Sequence, residues 1–122
     1  MKIAPRIVLV DDDILQLSHY ERILAAEGYQ VSKFINAHEA INGIDETTDV
    51  IVVDLLLGYN TVFPLLNELQ SQYTLNNIPV IVCSNLSETL EKEALDVYGV
   101  RKMLDKSSMH PLDLVAAVRS VL

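Results

Sequence analysis

The stretch IVLVDDD, Ile7 to Asp13, sets four apolar side chains directly against three carboxylates. A run of aliphatic residues without alternation is what a strand looks like when both of its faces are covered, as in a parallel sheet flanked by helices. Three further runs repeat the pattern: Val50 to Val53, Val80 to Cys83, and a weaker one around Met103 and Leu104. Between them, apolar residues recur at helical spacing at Leu17, Tyr20 and Leu24, at Leu86, Leu90 and Ala94, and at Leu114, Val118 and Val121. The order βαβαβ and onward predicts an α/β fold, doubly wound about a parallel sheet.

The punctuation agrees. Gly28 follows the first helical pattern as a C-terminal stop, and Tyr29 to Phe34 reads as a second strand. Asn36 with Glu39 makes a capping box for the second helix. Pro79 opens the Val80 strand where a missing N–H is tolerated, and Pro111 fits the first turn of the last helix. The expectation is five strands and five helices in one domain spanning residues 1–122, a length that suits a single core.

Nine basic against seventeen acidic residues give a net charge of −8, which opposes binding to nucleic-acid phosphates or anionic lipid. The longest nearly apolar run, Val50 to Leu57, is interrupted by Asp54 and far below the roughly 20 residues that span a bilayer. Met1 to Pro5 has no signal-peptide apolar region, so the expected location is cytoplasmic, with no membrane and no direct nucleic-acid partner. Cys83 is the only cysteine and lies in an apolar run, the setting of a buried thiol rather than a nucleophile. His19, His38 and His110 lack partners at metal-ligand spacing and suit surface or capping roles. Tyr20, Tyr59, Tyr73 and Tyr98 fit helix faces or loop packing.

Each buried strand ends in polar residues that a core would not choose: Asp11 and Asp12, Asp54, Ser84, and Lys106. In a parallel sheet these ends share one edge, and open α/β sheets bind ligands there, where strand order reverses. In the common order 2-1-3-4-5 that point lies between the first and third strands, so Asp12 faces Asp54. Asp13 alone needs no role beyond capping the next helix. Three converging carboxylates repel, and one must take a proton unless a cation intervenes. Hard oxygen ligands favour Mg²⁺, and that ion together with Lys106 balances Asp11, Asp12 and Asp54. An acyl phosphate on Asp54 adds about one further negative charge, which Lys106 and the Ser84 hydroxyl are placed to meet.

At these residues the sequence resembles the receiver domain of bacterial two-component response regulators, which has a flavodoxin-like fold. The resemblance runs through IVLVDDD (Ile7 to Asp13), AEGYQV (Ala26 to Val31), VIVVDL (Val50 to Leu55), PVIVCS (Pro79 to Ser84) and GVRKMLDK (Gly99 to Lys106). It implies that Asp54 is the phosphoacceptor, that Asp12, Asp54 and the Leu56 backbone carbonyl ligate Mg²⁺, and that Asp11 holds the metal through water. Ser84 and Lys106 would contact the phosphoryl oxygens. The donor would be a sensor histidine kinase or a histidine phosphotransfer protein. The domain would act as a switch rather than an enzyme with its own substrate, catalysing only phosphoryl transfer to Asp54 and slow autodephosphorylation. Phosphorylation would reshape the face made by the fourth helix, fifth strand and fifth helix. That face would serve a downstream protein partner, an output domain removed from the chain, or a homodimer.

Several residues depart from the family pattern. Ser107 stands where a cis proline usually follows the lysine, and a cis bond before a non-proline residue costs about 2.5–4 kcal/mol; the Lys106–Ser107 peptide is expected to be trans or strained. Met103 replaces the switch aromatic, which predicts a less sharply two-state response. Gly58 replaces a stiffening proline and predicts a mobile Gly58 to Thr61. Asn85 stands beside Ser84 in place of a common alanine, where it could crowd or hydrogen-bond the phosphoryl group. Leu56 and Leu86 cannot orient an attacking water, which predicts slow hydrolysis of the phosphoaspartate. Ser107, Met103 and Asn85 also support a rival reading, a phosphorylation-independent pseudo-receiver interaction module; retention of all five site residues opposes it. A Mg²⁺ phosphohydrolase using Asp11 and Asp13 matches only the first strand, and Leu15 departs from its pattern.

Overall fold

The computed structural model describes residues 4–57, 60–85 and 96–122, except the side chain at 60. The elements are β1 (Arg6–Val10), α1 (Ile14–Ala26), β2 (Gln30–Phe34), α2 (Ala37–Gly43), β3 (Val50–Asp54), β4 (Leu56–Leu57), β5 (Asn60–Thr61), α3 (Phe63–Ser71), β6 (Val80–Ser84), β7 (Val100–Asp105) and α4 (Pro111–Val121). Five strands form one parallel sheet in the order β2-β1-β3-β6-β7, the expected 2-1-3-4-5 arrangement.

One difference from the sequence reading appears. Leu56–Leu57 pairs antiparallel with Asn60–Thr61 as a small separate sheet, where a plain loop was expected. Four helices lie among the described residues, and the fifth, expected through Leu86, Leu90 and Ala94, falls outside them. The expectation for Gly58 to Thr61 likewise falls partly outside, at positions 58 and 59. No helix among the described residues is long and apolar enough to cross a membrane.

Alternation along the central strands builds two cores. Val8, Val10, Ile51, Val53, Val80 and Val82 pack with Ala40 of α2 and Leu65, Leu66 and Leu69 of α3 on one side. Ile7, Leu9, Val50, Val52, Ile81 and Cys83 pack with Leu17, Tyr20 and Leu24 of α1 and Leu114, Ala117 and Val118 of α4 on the other. Because both faces are covered, β1, β3 and β6 read as unbroken apolar runs. The outer strands are wetter: Lys33 on β2 and Arg101 and Lys102 on β7 are exposed, and such charges discourage pairing with another chain.

The helix ends follow from local chemistry. Asp13 caps α1, its Oδ1 accepting from the amides of Leu15 at 3.0 Å and Gln16 at 3.2 Å. At the far end Gly28 has φ +89°, and the amides of Gly28 and Tyr29 donate to the carbonyls of Ala25 and Leu24, a paired closure that needs a residue free to turn left-handed. The Asn36 side chain accepts from Glu39 N–H at 2.8 Å, while the Glu39 carboxylate reaches Ile35 N–H at 3.4 Å, one residue before the position of a full capping box. Asp113 accepts from His110 N–H at 2.9 Å at the start of α4.

Candidate functional site

Strand register brings the predicted residues together. Val10 lies opposite Val53, so Asp11 and Asp54 leave the sheet at the same level on adjacent strands. Asp54 lies opposite Cys83, and Ser84 opposite Asp105. The Lys106 amide donates to the Ser84 carbonyl at 3.1 Å, which carries β7 one step further and delivers Lys106 to the same edge.

The Lys106 ammonium bridges two carboxylates, donating to Asp11 Oδ2 at 2.9 Å and lying 3.0 Å from Asp54 Oδ2. Carboxylate oxygens of Asp11, Asp12 and Asp54 all lie within 4.8 Å of one another. Asp11 is 3% exposed, and its Oδ1 accepts from Asp13 N–H at 3.0 Å. Asp12 is exposed and Asp54 half-buried, so the cluster opens to solvent on the Asp12 side. The Leu56 amide lies 3.4 Å from Asp54 Oδ1, and Leu56 is 44% exposed at the rim. Its observed contact is through the amide. Ser84, 2% exposed, closes β6 beside this group. Asn85 is exposed next to it, and Leu86 lies outside the described residues.

The electrostatics follow from burial. Desolvation pushes the Asp11 carboxyl above its usual range, against the pull of the Asp13 amide and Lys106. For Lys106 burial opposes the charge, but hydrogen bonds to Asp11 and Asp54 outweigh it and raise the ammonium above the usual lysine range. The one ammonium is shared by Asp11 and Asp54, with the Asp12 carboxylate close beside them. A hard divalent cation fits this donor set, all oxygen and closely spaced, better than a soft one.

The residues that depart from the family pattern fall as follows. No peptide bond among the described residues is cis, so Lys106–Ser107 is trans. Ser107 instead turns the chain by donating its amide at 2.9 Å and its hydroxyl at 2.6 Å to Asp105 Oδ1. Met103 is half-buried and, like Phe63 and Tyr98, packs against the core cluster on the α2–α3 side of the sheet. Cys83 is buried, and desolvation pushes its thiol up to about 12, far from the thiolate a nucleophile needs. His38 approaches Asn42 at 3.3 Å on the surface of α2. One feature had no sequence signal: Tyr20 packs on a helix face as expected, yet its buried hydroxyl has no partner.

Comparison with known proteins gives a consistent family. The family model of the response regulator receiver domain matches residues 7–119. The transcriptional regulatory protein PrrA of Mycobacterium leprae is 31% identical over 123 residues, covering 98% of this chain and 50% of the relative. The chain therefore spans about half the length of the curated relatives it matches. Among solved structures, the chemotaxis response regulator CheY4 of Vibrio cholerae superposes with TM-score 0.85 at 21% identity, covering 98% of this chain and 99% of that one. The receiver domain of sensor histidine kinase PA1611 from Pseudomonas aeruginosa, solved with a magnesium ion coordinated in its active site cleft, gives TM-score 0.82 at 19% identity and 97% coverage of both chains. At such identities the structural likeness speaks for the fold.

Proposed function

We propose, from the premise that this chain belongs to the response regulator receiver domain family, that Asp54 accepts a phosphoryl group and that the domain signals by holding it. The observation that carries this reading is the Lys106 ammonium bridging Asp11 and Asp54 at the switch point, with the Asp12 carboxylate alongside. Such a group has little use in a purely structural role, because it concentrates like charge where the fold gains nothing from it.

The donor is a phosphohistidine on a sensor kinase or a phosphotransfer protein. An Asp54 carboxylate oxygen attacks phosphorus, the P–N bond breaks with its electron pair going to nitrogen, and the histidine, whose other ring nitrogen carries a proton, leaves as the neutral imidazole. Lys106 and the Leu56 amide hold the Asp54 carboxylate in a fixed orientation, which lowers the entropic barrier to transfer. The Lys106 ammonium and the Ser84 hydroxyl then face the phosphoryl oxygens. Asp12, Asp54 and the Leu56 carbonyl would hold Mg²⁺, with Asp11 acting through water, and the ion would neutralise charge on the transferring group. The magnesium held by the PA1611 receiver domain in the same kind of cleft supports this choice. Hydrolysis is slow, since exposed Leu56 offers no group to orient water. The phosphorylated domain acts in the cytoplasm on a downstream protein or an attached output domain.

Intact-mass spectrometry after incubation with a small phosphodonor and Mg²⁺ tests the reading. Wild type should gain one phosphoryl group and Asp54→Ala none. Equal labelling of both proteins excludes Asp54.

A further inference from the structure

The Tyr20 hydroxyl is the buried side-chain polar atom that lacks a hydrogen-bond partner among the described residues. Tyr20 is 4% exposed, so the hydroxyl lies out of reach of bulk water. Phenylalanine would fill this position without the penalty of an unpaired donor, and a buried orphan of this kind calls for a physical reason.

Its surroundings supply one. Side chains alternate along a strand, and Leu9, Val52 and Cys83 face α1. Asp11 and Asp54 lie two residues beyond Leu9 and Val52, so they project toward the same side as Tyr20. The gap between the ring and these residues is lined by Asp11, Leu17, Asp54 and Cys83 and is too narrow for a water molecule. Gln16, one turn earlier on α1, influences the hydroxyl without completing a hydrogen bond to it.

Asp11 is occupied at rest, with Oδ1 taking the Asp13 amide and Oδ2 the Lys106 ammonium. In the reading proposed above, on which this inference rests, the Lys106 ammonium turns to the phosphoryl oxygens. A divalent cation at the cluster repels it in the same direction, so Lys106 leaves Asp11 once the cation is taken up. A carboxylate oxygen that is almost fully buried then loses its donor, while an unused donor waits on the same side of the sheet.

We propose that Tyr20 is a positioning residue of this site, its hydroxyl donating to Asp11 once Lys106 has withdrawn. The bond holds the Asp11 carboxylate in place toward the cation. Because the hydroxyl is unpaired at rest and paired in the loaded state, it favours loading.

Calorimetric titration with Mg²⁺ alone, paired with thermal melting of the metal-free protein, tests this in wild type, Tyr20→Phe and the control Tyr73→Phe, whose ring is 91% exposed. Tyr20→Phe should bind Mg²⁺ about tenfold more weakly, as expected for loss of a hydrogen bond to a charged group. Its metal-free melting temperature should equal or exceed that of wild type, and Tyr73→Phe should match wild type in both assays. Mg²⁺ affinity within twofold of wild type overturns the proposal, leaving the hydroxyl a structural orphan. A lower metal-free melting temperature also overturns it, because the hydroxyl would already be bonded at rest. If wild type binds no Mg²⁺, the functional reading fails and this inference falls with it.

Discussion

Replacing Lys106 with methionine keeps the alkyl stem and removes only the ammonium, which leaves Asp11 and Asp54 side by side without their shared counter-charge. The side chains involved are 17%, 5% and 14% exposed for Lys106, Asp11 and Asp54, so the arrangement behaves more like a buried ion pair than a surface one. Two unit charges about 4 Å apart interact by roughly 4 kcal/mol at an effective dielectric near 20. Removing one partner of a buried pair costs about 3–5 kcal/mol. Asp11 relieves part of that cost by taking a proton, toward which burial already pushes it. We expect Lys106→Met to lose about 3 kcal/mol at pH 7 without metal. For a domain of this size that lowers the melting temperature by roughly 10–15 °C. The assay is urea denaturation with and without Mg²⁺. Saturation at about a hundred times Kd stabilises any binder by about 2.7 kcal/mol, and the variant should gain more than wild type, because the cation supplies the charge it lacks. A metal-free loss below about 1 kcal/mol, or equal Mg²⁺ gains in both proteins, refutes the claim that ammonium and cation share one electrostatic task.

Further outcomes follow from the same geometry. Cys83, ordinarily near 9, is pushed up to about 12 by burial; the folded state therefore keeps its proton where the unfolded chain releases it. Its contribution is complete below pH 9 and lost as the pH rises toward 12, and Cys83→Val should flatten the alkaline fall of stability measured by urea titration between those limits. Asp13→Ala removes the cap on Leu15 and Gln16 and should cost about 1 kcal/mol in the same assay, with Mg²⁺ affinity largely kept. Leu24→Ala, at a side chain with 0% exposure, should cost about 2–5 kcal/mol. Phosphoaspartate decay followed by mass spectrometry should be slow, and a lifetime of seconds in Mg²⁺ contradicts the role assigned to Leu56.

The unbroken apolar runs of β1, β3 and β6 were legible in the sequence because strands covered on both faces need no polar alternation, and the aspartates closing two of them could only lie at one edge. β7 was fainter for the opposite reason. As an outer strand it places Arg101 and Lys102 in solvent, and only Met103 and Leu104 betray it. The pairing of Leu56–Leu57 with Asn60–Thr61 was invisible, since two residues carry no periodicity. Adjacent acids present a subtler limit. Asp11 and Asp12 are the same residue type side by side, yet one is 3% exposed and bonded to Lys106 while the other faces solvent. Composition cannot rank them; strand parity can, because Asp11 follows Leu9 by two and must turn inward with it. The same parity carries Asp54 and Cys83 toward Tyr20. A helical spacing predicts that Tyr20 is buried but says nothing about where its hydroxyl ends. The donor that sequence could not place and the carboxylate that composition could not rank lie on one side of one sheet, so the coupling proposed between them follows from the strand register, and a one-residue slip in β1 would abolish it.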